Sequence, residues 1–184
     1  MLSAISHLLT AFGLSSASGL NAYIPLLIVA LTARFTDWIT LPPPFDILKN
    51  EWVIGALVVL LLIETIVDKV PAADTLNDVI QTFVRPAAGA ILFAANTSVI
   101  NLNPVIAVIL GLILAFGVHA VKATARPVVT ATTGGLGNAF VSVGEDIVSF
   151  GVSLIAIVLP LLIGFVFALI VLWFLFLRPR RAIT

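Results

Sequence analysis

Two stretches hold most of the side chains able to do chemistry. In "ETIVDKVPAADTLND", four carboxylates, Glu64, Asp68, Asp74 and Asp78, fall within fifteen residues. Glu64 and Asp68 are four apart, as are Asp74 and Asp78, so each pair shares a face wherever its segment is helical. An all-oxygen set of this kind suits a hard cation such as Mg2+ or Ca2+. The same residues also fit a solvated loop pairing with Lys69 and Arg85, with Asp74 before "TLND" placed as a helix N-cap. Glu64 stands apart, because it lies inside the apolar run "WVIGALVVLLLIETIV". A charge there costs about 2.5–3.5 kcal/mol or more unless paired or hydrated, which marks it as functional.

The second stretch is "HAVKATARPVVTATTGGLGNAFVSVGED", His119 to Asp146. His119, Lys122 and Arg126 are spaced three and four apart, one cationic stripe on a helix, suited to a phosphate or carboxylate that Arg126 can grip with two hydrogen bonds. Snorkelling to lipid headgroups would account for Lys122 alone. Beyond Arg126 come Thr130, Thr132, Thr133, Asn138 and Ser142, then the acidic pair Glu145 and Asp146. The uncharged part reads either as an extramembrane loop or as a re-entrant hairpin turned at Gly134–Gly135. Such backbone is tolerated at depth only when buried in protein or lining a wet cavity. A tight helix-packing seam is the structural alternative.

The elements that position these residues follow from composition. Hydrophobic residues make up 61% of the 184-residue chain and charged ones 10%, with a mean hydropathy of +1.23. A soluble domain has about 45–50% and 25%. The expectation is one all-α, polytopic membrane bundle of about five spanning helices, with the lipid bilayer as its first partner. No cysteine is present, which excludes disulfides, thiolate metal sites and a Cys nucleophile. Nine basic residues balance nine acidic ones, so no nucleic-acid footprint is expected. The N-terminus lacks a basic n-region and reads as part of the mature protein.

A span needs roughly 20 apolar residues. The first segment, Leu2 to about Arg34, carries "GLSSASGLNAY" in its middle and is expected to be one broken crossing, interrupted near Ser15–Gly19, with Asn21 at the break. The run Pro42–Pro44 makes a loop, with Trp38 and Trp52 as interfacial anchors. Further spans are expected over Val53–Val67, Val79–Ala95, Val105–Val121 and Ile147–Leu177, the last tilting or bending at Pro160. The segment around 127–145 is re-entrant or irregular. Counting crossings, the break at Asn21, the acidic stretch, Arg85 and all of His119–Asp146 fall on one side, here side A. The proline loop, the turn "NTSVINLNP" and the basic tail "RPRR" fall on side B. The positive-inside rule then places side B in the cytoplasm and the polar site outside.

Internal similarity points the same way. "SGLNAYIP" resembles "GLGNAFVS", and "RPAAGAILFAAN" from Arg85 resembles "RPVVTATTGGLGN" from Arg126. Two units, each pairing an Arg-Pro helix start with a glycine–asparagine break, would be a transporter device. The stretches "SGLNAYIPLL", "ETIVDKVPAADTLNDVIQTFVRPAAGA" and "HAVKATARPVVTATTGGLGN…SVGED" resemble small bacterial membrane proteins grouped as domain of unknown function 4126, over nearly the whole chain. The resemblance implies a multi-helix protein of the bacterial inner membrane and no established activity.

Three functions follow as expectations. The first is a small transporter or channel for a small solute or ion. Its membrane-depth site would be Glu64, His119 and the Asn21 and Asn138 breaks. Asp68, Arg85, Lys122, Arg126, Ser142, Glu145 and Asp146 would line the rest of the path. The second is a membrane-interface enzyme on a phosphate-bearing lipid, with Glu64, Asp68, Asp74 and Asp78 holding Mg2+ or Ca2+ while Lys122 and Arg126 clamp phosphate. The third is a scaffold or assembly subunit whose charges pair internally; a homo-oligomer is compatible with all three.

Overall fold

The computed structural model describes residues 1–67 and 71–173, and the backbone alone of residues 71–76 and 78. The described chain is all-helical, with no strand among the described residues. Its helices are α1 (Leu2–Ser18), α2 (Tyr23–Phe35), α3 (Glu51–Val67), α4 (Pro71–Thr97), α5 (Pro104–Thr133), α6 (Leu136–Val158) and α7 (Pro160–Leu172), with 3-10 turns at Phe45–Lys49 and Ser98–Ile100. Three stretches, Val79–Ile100, Pro104–Thr133 and Leu136–Val158, are long and apolar enough to cross a membrane. Large apolar side chains cover the outside: Val59, Leu62, Ile63 and Ile66 on α3, and Ile109, Ile113 and Phe116 on α5, are all exposed. A surface of this kind needs lipid, and the chain is a membrane protein.

The break in the first segment is a reversal. Along α1, Ser6 and His7 share a cavity with Trp38 and Asn96, whereas Ser18 lies against Arg85. Along α2 the order is opposite. The Tyr23 phenol hydrogen-bonds Gln81, and Arg34 reaches Lys49 and Glu51 at the far end. The two helices are therefore arms of a hairpin, with its apex on side A. The Asn21 Oδ1 makes the turn by accepting from Tyr23 N at 2.9 Å and Ile24 N at 3.1 Å, two of the amides that α2 cannot satisfy internally. The interruption falls a few residues later than the small-residue run implies, because Ser15 and Ser18 remain helical by donating to backbone carbonyls.

At the other end of the sequence α5 continues without interruption through Pro127 to Thr133. Gly134 and Gly135 then turn the chain with φ of 61° and 88°, values that favour glycine, and α6 starts at Leu136. Segment 127–145 is thus a helical hairpin rather than an irregular loop. The Arg-Pro pairs do not start helices either: Pro86 and Pro127 both lie inside theirs. At 30 residues, α5 is about 45 Å long, well beyond an apolar core of about 30 Å.

The bend at Pro160 is a fold-back. Helix α6 runs antiparallel to α1, with Ser149 on Ala17 and Ala156 on Thr10. Helix α7 packs Gly164 on Leu9 and Phe167 on Phe12, so it advances in α1's own direction. This removes the parity argument for placing the basic tail on side B. Arg178, Arg180 and Arg181 themselves lie outside the described residues.

Helices α4 and α5 approach closely because two glycines meet. A Cβ on Gly89 would sit 2.7 Å from the Gly111 carbonyl oxygen, and one on Gly111 would sit 2.7 Å from the Phe93 Cβ. That contact sets the distance across which the polar side chains beyond it must reach. Gly111→Val is expected to lower stability in detergent by about 1–3 kcal/mol through overpacking. Gly117→Ala, with open space around it, should hold or gain up to about 1 kcal/mol. Thermal unfolding of the two variants checks this, and equal shifts would contradict the close crossing.

Candidate functional site

One face of α5 changes character along its length. Its buried residues are Ala107, Gly111, Ala115, His119, Lys122 and Arg126, spaced four, four, four, three and four. The small half packs on α4, and the ionisable half faces the interior toward side A. Helix α4 answers with Gln81 and Arg85, one turn apart and both almost fully buried. Helix α3 contributes Glu64, 2% exposed near its end.

Arg85 joins these three helices. Its Nη2 donates to Glu64 Oε1 at 3.0 Å, and its Nη1 lies 3.0 Å from His119 Nδ1. Arginine has no acceptor, so His119 Nδ1 must accept. The ring is then neutral, with its proton on Nε2, which faces Thr82 Oγ1 at 3.1 Å. Arg85 falls within Val79–Ile100, one of the stretches long and apolar enough to cross a membrane.

Nearer side A lies a second cluster. Lys122 Nζ donates to Glu145 Oε2 at 2.7 Å and to the Leu20 carbonyl at 3.1 Å, tying the α5–α6 hairpin to the apex of α1–α2. Arg126 reaches the same Glu145 oxygen at 3.5 Å. Asn21 Nδ2 donates to Asp146 Oδ1 at 2.9 Å, so one asparagine caps α2 and holds α6. Farther out, Asn138 and Thr130 bond each other across the second hairpin at 2.9 Å.

The structure therefore brings together Glu64, Arg85 and His119 in an inner group, and Asn21, Lys122, Arg126, Glu145 and Asp146 in an outer one. Asn138 and Ser142 follow on the same buried face of α6. Asp68 lies outside the described residues, as do the side chains of Asp74 and Asp78. Among the described residues no three His, Asp or Glu side chains gather as a metal site, and Glu64 is engaged by Arg85. The expected cationic stripe exists, but Glu145 occupies its centre. At the first break the Tyr23 and Ile24 amides of α2 are taken up by Asn21 itself.

Sequence reading passed over several participants. Gln81 and Tyr23 adjoin the inner group, and Thr82 holds His119. Buried hydroxyls of Thr10, Ser15, Ser18, Ser149 and Ser153 run through the bundle. The available signal was spacing: Gln81 is four before Arg85, and Ser142, Ser149 and Ser153 share one face of α6.

The chain matches the family described as Domain of unknown function (DUF4126) over residues 8–180, and it belongs to that family. No curated protein and no solved structure matches it.

Removing one member of a buried ion pair strands its partner, at a cost of about 3–5 kcal/mol. Arg85→Met should therefore destabilise strongly. Adding Glu64→Gln to it should restore about 1–3 kcal/mol, because the stranded carboxylate is gone. A double-variant cycle read by unfolding in detergent tests this; strict additivity would mean the two groups do not interact.

Proposed function

We propose that this member of the DUF4126 family is a small transporter or channel whose membrane-depth site is the Glu64–Arg85–His119 group. The supporting observation is one donor-only guanidinium shared between a carboxylate and a neutral imidazole inside the apolar span. Ionisable groups at such depth are expensive and typically mark solute paths or proton relays.

The arrangement has a switch in it. Protonating His119 at Nδ1 removes the lone pair that Arg85 uses and sets two cations side by side. Arg85 is then driven from His119 toward Glu64 on α3 or toward a solute. The charged groups around this step are Glu64 from α3, Lys122 from α5 and, farther out, Glu145 and Asp146 from α6, with the Tyr23 phenol from α2. Proton uptake and solute binding would be linked through the position of one side chain. The outer Lys122–Glu145–Arg126 group, at the mouth, would select and hand over the solute.

A scaffold role is the second reading. What favours it is internal pairing: the Arg85, Lys122 and Arg126 side chains each have a carboxylate oxygen within 3.5 Å. Flux in proteoliposomes separates the two. The assay uses a pH-sensitive dye, a panel of monovalent ions and a panel of neutral polar solutes. Glu64→Gln is expected to cut the wild-type flux of at least one species tenfold or more, and His119→Gln to flatten its pH dependence between about pH 5 and 8. Equal flux for every species in folded wild type and variants would select the scaffold.

A further inference from the structure

At the end of the bundle away from Arg85 lies a cavity of about 130 Å3, lined by Ser6, His7, Thr10, Trp38, Thr40 and Asn96 with Ile39, Ile157 and Pro160. It is bounded by the start of α1, the end of α4, the loop after α2 and the α6–α7 fold-back, and it opens outward at the exposed Trp38 and Thr40. We propose that this cavity binds a small, uncharged, hydrogen-bonding solute of the amide or alcohol class, and that it is the side-B station of the path. The second half rests on the transport reading; the binding itself does not.

Size and chemistry both narrow the occupant. A space of 150 Å3 accepts a benzene-sized molecule, so the recess holds a group of about that size or smaller. No Asp, Glu, Lys or Arg is among the lining residues, so apart from His7 no ionisable side chain is there to attract an ion. The polar groups nonetheless outnumber what packing requires. Thr10 spends its hydroxyl proton on the Ala156 carbonyl at 2.8 Å, leaving oxygen lone pairs as acceptors. Asn96 spends one amide N–H on the Leu92 carbonyl at 2.8 Å, leaving its Oδ1 as an acceptor. The Trp38 indole carries only a donor, and Ser6 and Thr40 offer both functions. A ligand that donates and accepts, as an amide or alcohol does, matches this mixture.

Polar side chains also occupy the packed interval between the cavity and the charged groups. Eleven residues of α4 separate Asn96 from Arg85, about 16 Å. Buried hydroxyls occupy that interval, with Ser15 on the Gly89 carbonyl and Ser149 on the Ala17 carbonyl. On the transport reading, a solute moving along this line would meet no charged side chain before Arg85.

Acrylamide is itself a small neutral amide and quenches tryptophan, so it serves as the probe. Trp52→Phe with Trp173→Phe leaves Trp38 as the sole reporter in full-length protein in nanodiscs. A saturable static component is expected, in which intensity falls at least twofold more than lifetime. It should disappear in Asn96→Leu and in Ser6→Val, two variants that keep the question open to test if one fails to fold. Iodide should give only collisional quenching. Purely collisional acrylamide quenching, or a static component untouched by both substitutions, would overturn the proposal. Static binding without solute flux would leave this site standing and count against the transport reading.

Discussion

A guanidinium shut off from solvent must find its partners within the protein, and the fully buried Arg85 imposes that demand on the bundle. Its Nη2 reaches α3 through Glu64 and its Nη1 reaches α5 through His119, so one side chain fixes the register of three helices. The demand is met only because the helices come close. Gly89 and Gly111 remove the Cβ atoms that would hold α4 and α5 apart, and Ala115 continues the seam up to His119. Breaking such a pair costs more than making it gains, which ties the polar contacts and the glycine crossing into one arrangement.

From that constraint the placement of the remaining polar groups follows. Lys122 and Arg126 are the next turns of α5 above His119, and they cannot stay inside without an anion. Glu145 supplies it from α6, held in position because α5 and α6 are joined by a two-glycine turn. The apex of α1–α2 closes the cluster: the Leu20 carbonyl accepts from Lys122, and Asn21 grips Asp146. The two glycine–asparagine segments recognised as similar in sequence thus play similar roles. Each ends an ascending helix and begins a descending one on the same side of the bundle. Their shared property is reversal of the chain, made at the first by the Asn21 cap on α2 and at the second by Gly134 and Gly135.

Much of this was legible from residue types. Composition implies a helical membrane protein, Glu64 stands out by its apolar surroundings, and Gly134–Gly135 marks a turn by its chemistry. The cationic stripe is a matter of counting three and four. What sequence could not supply was direction. A small-residue break reads equally as a kink within one crossing or as a turn between two, because both need the same flexible residues. Only contacts far apart in sequence, such as Ser18 with Arg85 and Arg34 with Glu51, distinguish them. The fold-back at Pro160 was hidden for the same reason. The proline signalled a bend, and Gly164 against Leu9 settled its sense. Arg85 was legible as a charge but not as the centre, since nothing local tells that residues 21 and 34 positions away in sequence meet at its two nitrogens.

The two ends of the interior are chemically unequal, and that inequality bears on mechanism. Toward side A lie charged side chains in mutual contact; toward side B lie hydroxyls, an amide, the His7 imidazole and an indole around a small space. A solute carrying charge would be stabilised at the first end and opposed along the hydroxyl line, where no counter-charge follows it. If the protein transports a solute as proposed, that solute would have to be neutral below Arg85, either by nature or because a proton joins or leaves it there. His119 and Glu64 are the groups in contact with Arg85 that can make that exchange, and Arg85 holds one of them in its neutral form. Under the proposed transport reading, the same three side chains that hold the helices in register would be the place where a change of protonation decides what proceeds further.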